Sequence, residues 1–242
     1  MDANAEDRPA EVVGVLCAKT GAKGEPFWRD EAGDLRIDEG FCLQLLRELR
    51  DVTFATVDTR GFPCARTIDV MMVEEGRLYF VAARGKAFYD QLMSTKRVAI
   101  VGQTADYRSC RLSGPVEHPS DPVEQRRLVD RVFENNPSMA DVYPGEARYV
   151  LEVFYLQRGQ GEYFDLSGSP ILRASFTLGG EALERDGFAV GEDCIGCEAC
   201  VEACPQQCIA LDADDRAHIA QEHCLRCGLC QETCPTGAIV PR

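Results

Sequence analysis

Between positions 37 and 156, apolar and polar residues alternate in short runs broken by turn residues, a pattern that predicts strands with few helices. Asp38 stands where a helix N-cap belongs, and Phe41, Leu45, Leu46 and Leu49 share one face of a helix reaching about position 50. Strands are expected at 52–57, 66–73 and 77–83, separated by turns at Asp58 to Gly61 and at Glu74 to Gly76. A helix over 87–93 leads to strands at 97–102 and 109–117. Residues 121–135 read as an amphipathic helix opened by Asp121 and Pro122, with Val123, Leu128, Val132 and Phe133 towards the core. A short helical segment near Met139 and a last strand at 149–156 complete the pattern. Six strands with few helices in this order predict a small closed barrel in a mainly β, α+β chain. Ahead of it, 12–17 suggests a short strand and 21–33, around Phe27 and Trp28, a loop or loose hairpin. No role attaches to this extension, residues 1–37.

After position 180 the alternation gives way to a cysteine phrase written twice. Cys194, Cys197, Cys200 and Cys204-Pro205 recur thirty residues later as Cys224, Cys227, Cys230 and Cys234-Pro235. The spacing C-x2-C-x2-C-x3-C-P is that of bacterial ferredoxins with two 4Fe-4S clusters, in which the fourth cysteine serves the other cluster. One cluster is therefore assigned to Cys194, Cys197, Cys200 and Cys234, the second to Cys224, Cys227, Cys230 and Cys204. Zinc and disulfides are the other uses of paired cysteines. A third cysteine two residues on, a fourth three later and a following proline exceed a tetrahedral zinc site, and disulfides require an oxidising compartment. Cys208 falls opposite Ala238 in the repeat and reads as a small core residue. Cys17, Cys42, Cys64 and Cys110 have no ligand spacing, so packing is their expected role. His118, His218 and His223 are scattered, though His223 lies beside Cys224 and could hydrogen-bond near a cluster sulfur.

Composition narrows the partners. The 242 residues allow one medium domain and one small one, here placed at 38–180 and 181–242. The small one is too short to be stable on apolar burial alone, so clusters should hold it folded. The formal charge of −14, with twelve acidic residues against four arginines from Glu181 to Arg242, argues against nucleic acid as a partner. An acidic start and an apolar run at 12–18 too short for a signal core or membrane span point to a cytoplasmic protein without a membrane partner. No G-x-G-x-x-G after a strand and no phosphate loop of the Walker type appears.

The stretch from Gly40 to about Ser169 resembles the pyridoxamine 5'-phosphate oxidase-like, FMN-binding split barrels. The matching phrases are Phe54 to Val57, Gly61-Phe-Pro63 with Arg66, Leu78 to Phe80 with Gly85-Lys86 after it, Arg111 to Gly114, and Phe154 to Leu156 ahead of Phe164-Asp165. The resemblance implies a homodimer with FMN at the subunit interface. Arg66 and Lys86 map to residues that face the flavin phosphate, and Thr67, Arg84, Ser109 and Arg111 to neighbouring contacts. A phosphate favours fixed cations and backbone N–H groups at a helix start. The family's name-giving oxidase has a basic carboxy-terminal segment for its substrate. Here that region runs through Ser175 to Gly180 into the cysteine repeat, so the flavin fold carries over and the oxidase activity does not.

Clusters move single electrons, and FMN exchanges one or two. The combination is expected to be an FMN-dependent reductase, taking electrons from a donor such as ferredoxin and reducing a small-molecule acceptor. A carrier without an organic substrate and a redox or flavin sensor are the alternatives. No side chain stands out as a proton donor.

Overall fold

The computed structural model describes residues 37–183 and 186–242. The expected strand at 12–17 and hairpin at 21–33, with Cys17 and Trp28, lie outside the described residues. Helix α1 (Glu39–Leu49) starts where the sequence places it, with Asp38 Oδ1 accepting from the Phe41 N–H at 3.0 Å. Such a cap is worth about 1 kcal/mol. Strand β1 (Asp51–Val57) alternates, with Val52, Phe54 and Thr56 buried and Thr53 and Val57 outside.

The long strand expected at 66–73 is two strands, β2 (Pro63–Asp69) and β3 (Met72–Glu74). At the break the Val70 N–H bonds to Arg50 O while the Met71 N–H turns to Tyr79 O, passing the chain from one sheet to another. Then follow β4 (Arg77–Ala83), α2 (Ala87–Thr95), β5 (Arg97–Gln103), β6 (Arg108–Pro115) and α3 (Pro122–Asn135). Two 3-10 turns lead into β7 (Leu151–Leu156), the second of them occupying Gly145–Val150, where a strand start was expected. Strands β8 (Gly159–Asp165) and β9 (Leu172–Leu178) were not anticipated. Here glycine, serine and threonine blur the apolar alternation, and close backbone approach replaces side-chain packing: a Cβ on Gly114 of β6 would lie 2.2 Å from Arg158 O beside β8.

The split barrel thus has two sheets, ordered β2-β1-β5-β6-β8-β9 and β3-β4-β7. Strand β4 is buried on both faces and accordingly apolar throughout its middle. Leu78, Phe80 and Ala82 enter the main core with Phe54, Phe88 and Phe154, while Tyr79 and Val81 meet Leu128, Val132 and Phe133 of α3. Cys42 and Cys110 are core residues, with the Cys110 thiol 3.7 Å from Cys42 O. Residues 186–242 form a separate small core between two antiparallel strand pairs, β10 (Phe188–Val190) with β13 (Ile239–Pro241) and β11 (Ile209–Leu211) with β12 (Ala217–Ile219). Two one-turn helices, α4 (Ala199–Ala203) and α5 (Leu229–Glu232), belong to this unit. No helix among the described residues is long and apolar enough to cross a membrane.

Candidate functional site

Each cysteine phrase is a loop that turns twice through left-handed backbone before its helix. The turns fall at Gly196 and Glu198 in the first copy and at Arg226 and Gly228 in the second, thirty residues on in both cases. Gly196 is required: a Cβ there would sit 2.5 Å from Asp215 O. Arg226 occupies the equivalent conformation with a side chain, at a cost of about 1 kcal/mol.

The loops wrap two small cavities. Cys194, Cys197, Cys200 and Cys234 line the first; Cys204, Cys224, Cys227 and Cys230 line the second. Each cavity thus takes three thiols from one copy and the fourth from the other. No group of three or more His, Cys, Asp or Glu side chains among the described residues is close enough to share one metal ion. The thiols are spread around a volume, and that arrangement suits a four-iron cubane, which meets its ligands at its corners. Backbone N–H groups approach the sulfurs, Ala217 N at 3.5 Å from Cys194 Sγ and Arg226 N at 3.3 Å from Cys224 Sγ. Burial works against ionisation of Cys234, yet the Thr236 hydroxyl and the N–H groups of Thr236, Ala238 and Ile239 hold its thiol below the ordinary range. Cys208 and Ala238 line equivalent places in the two cavities, as the repeat implies. The Cys208 sulfur also lies 3.5 Å from that of Cys204.

The six residues assigned to the flavin fall on two surfaces. Arg66, Arg84 and Lys86 stand around the start of α2. Arg66 projects from β2 over the Phe88 ring, 4.6 Å from its centre, and donates to Thr56 Oγ1 at 2.7 Å and Gln91 Oε1 at 2.8 Å. Burial pulls its pKa down. Lys86 is the N-cap of α2, exposed, with no side-chain cap bond. Arg84 pairs with Glu152 at 3.2 Å. Glu152 in turn holds Tyr89 and His118, each at 2.7 Å. Burial pushes Glu152 up, but these three partners outweigh it and leave its carboxyl below the usual range. Burial and this carboxylate push Tyr89 up to about 12. The cations and helix start at this surface have the donor chemistry a phosphate needs.

Thr67, Ser109 and Arg111 lie on the outer face of the six-stranded sheet. Register places Thr67, Thr53, Val101, Arg111, Glu162 and Ser175 in one row across it. At strand spacing, Thr67 and Arg111 are roughly 14 Å apart, too far for one small group. A groove of about 370 Å3 runs beside Arg111, Ser113, Gln160, Glu162, Ser175 and Asp186.

Sequence reasoning missed a node at the end of this row. The Glu162 side chain is 7% exposed and binds three arginines: Arg111 at 2.9 Å, Arg226 at 2.8 Å, and Arg173. Arg173 also donates to Cys224 O at 3.2 Å and lies over the Phe164 ring. Two further bonds join the units nearby, His223 Nδ1 to Ile171 O at 2.8 Å and Ile171 N to Gln206 Oε1 at 3.5 Å. His223 thus holds barrel backbone instead of a sulfur. The signal was present in the repeat: an arginine stands at 226 where the first copy has Gly196.

Residues 40–153 match the family model described as pyridoxamine 5'-phosphate oxidase, and residues 193–238 that of a 4Fe-4S dicluster domain. No curated protein matches the chain. Among solved structures, a NimC/NimA family protein from Clostridium acetobutylicum is 24% identical, with 58% of this chain and 92% of that one covered and a TM-score of 0.49. A pyridoxamine 5'-phosphate oxidase-related, FMN-binding protein from Nostoc punctiforme is 17% identical, with coverages of 61% and 94% and a TM-score of 0.44. A heme binding protein from Mycobacterium smegmatis is 16% identical, covering 60% of each chain, with a TM-score of 0.46. The chain therefore pairs a split barrel that matches the pyridoxamine 5'-phosphate oxidase model over residues 40–153 with a match to a 4Fe-4S dicluster domain over 193–238, a combination that supports an iron-sulfur flavoprotein redox role.

Proposed function

We propose that this protein is an iron-sulfur flavoprotein oxidoreductase that passes electrons from a low-potential redox protein through two 4Fe-4S clusters to FMN and on to a small-molecule acceptor. The observation that carries this reading is the docking of the ferredoxin unit on the barrel sheet, where Arg226 pairs with Glu162 in the row that contains Arg111 and the barrel's Arg173 donates to Cys224 O. When bound, the clusters supply single electrons and FMN the means to deliver two to an organic acceptor.

The chain's own residues hold and place these groups. The eight cysteines supply thiolates in two sets of four, and the backbone N–H groups at Ala217 and Arg226 stabilise their charge. Lys86 and Arg84 offer cations at the exposed start of α2, where backbone N–H groups also favour an anion. Arg66, held against Phe88 and Gln91, keeps a third cation beside the same helix. Thr67, Ser109 and Arg111 present polar groups on the outer sheet face, and a second copy of the chain facing this surface would complete the flavin cleft.

Anaerobic purification followed by iron, sulfide and flavin quantification tests the reading. About eight irons and one FMN per chain are expected. Lys86→Ala should release flavin while leaving the iron unchanged. About eight irons with no flavin after reconstitution would overturn the proposal.

A further inference from the structure

The same interface gives the two cavities different surroundings. Each contact described above between barrel and ferredoxin unit involves residues flanking the second cavity: Gln206 beside Cys204, His223 and Cys224, and Arg226 between Cys224 and Cys227. Arg226 is the most constrained of these. Its side chain is 19% exposed, its backbone is left-handed, and its N–H lies 3.3 Å from Cys224 Sγ. One guanidinium nitrogen is paired with Glu162 and, at 3.4 Å, with Asp186; its Nε is buried without a partner. A buried guanidinium N–H lacking an acceptor is costly, and the cationic side chain is carried on the loop between two ligands of the second cavity, Cys224 and Cys227.

We propose that Arg226, held by Glu162, is a positioning residue that sets the reduction potential of the second cluster apart from that of the first. The inference rests on the reading that these cavities hold 4Fe-4S clusters. Reduction adds one electron to the cluster, with no bond made or broken and no proton required, so its charge becomes one unit more negative. A fixed positive charge alongside stabilises that product and raises the potential, and a carboxylate that neutralises the cation lowers it again. Glu162 and Arg226 therefore act with opposite sign. The first cavity has glycine at the equivalent position, Gly196, and lacks this device.

The test is potentiometry of the anaerobic, iron-loaded full chain, with dithionite as reductant and the two clusters followed by EPR. Cys230→Ser identifies the second cluster's signal by its loss. Arg226→Met should shift that signal alone to lower potential and Glu162→Gln should shift it to higher potential, with the first cluster unmoved in both. Arg226→Lys should lie close to the parent, because it keeps the charge. If Arg226→Met loses iron, the Lys and Gln variants still decide the matter. No shift, shifts of the same sign, or equal movement of both clusters would overturn the proposal. The measurement reads iron alone, so a missing flavin would sink the reductase reading without touching this one.

Discussion

The two cysteine phrases share their ligand spacing and backbone turns, yet they face different surroundings. In the first copy Asp193, Ile195, Gly196 and Glu198 surround the cysteines, and Ile195 is 67% exposed. In the second copy the equivalent positions are His223, Leu225, Arg226 and Gly228. Two acidic residues are gone, an arginine is gained, and Leu225 is half-buried. His223 and Arg226 are the residues that grip the barrel. Positions between ligands are free to respond to context because each cysteine loop is held by its thiols and left-handed turns. The duplication therefore made two similar cages, and only one became an anchor.

Iron removal should have the largest effect. Residues 186–242 have only short strands, one-turn helices and a core built largely of the ligating cysteines, so chelation should unfold them. The barrel, with its own two cores, should stay folded. Circular dichroism with limited proteolysis would show a resistant fragment covering 38–178 and a digested tail. A tail that resists protease without iron would remove the premise that the thiols alone set the loop geometry.

Exchange of the fourth ligands comes next. Cys234→Ser belongs to the second phrase but should empty the first cavity, and Cys204→Ser the reverse. Each variant should retain roughly four of eight irons. EPR should lose the Arg226-sensitive signal only in Cys204→Ser. Loss of the signal of its own phrase in either variant would show that the phrases do not complete each other.

Much of this was legible because it is local. The N-cap at Asp38, the alternation in β1 and the amphipathic run of α3 each depend on neighbours within one element. The partition of eight thiols followed from spacing alone. Strands β8 and β9 were not legible, since Gly159, Gly161 and Ser175 break the apolar alternation and are held by pairing with β6 and each other. The Glu162 node was hidden for a related reason: 111, 162, 173 and 226 meet only in the folded chain. The flavin assignments gathered partly, with Arg66, Arg84 and Lys86 at one helix start and the other three on the sheet.

Loosening the anchor should produce a smaller effect than either iron experiment. Glu162→Ala leaves Arg173 and Arg226 buried without their carboxylate, a change worth about 3 kcal/mol when a buried pair is broken. Amide exchange in β9 and at 221–226 should accelerate on the order of a hundredfold. Glu198→Gln, exposed in the first copy, should change stability by less than about 0.5 kcal/mol. Equal effects would erase the distinction between anchored and open copies.

The smallest effect concerns the one place where the cavities differ in thiol number. Cys208 stands near the Cys204 sulfur, and Ala238 is its counterpart in the first cavity. Four thiols per cavity already complete a cluster, and the repeat shows that the cage tolerates alanine at this position. Cys208→Ala should therefore keep about eight irons and both EPR signals, with a loss of under about 1 kcal/mol for one half-buried sulfur. The converse Ala238→Cys should also keep its iron, because it copies the second cavity's arrangement into the first. If Cys208→Ala instead lost half its iron, the second cavity would be using a fifth thiol that the first does without, and the anchored copy would differ in ligation as well as in setting.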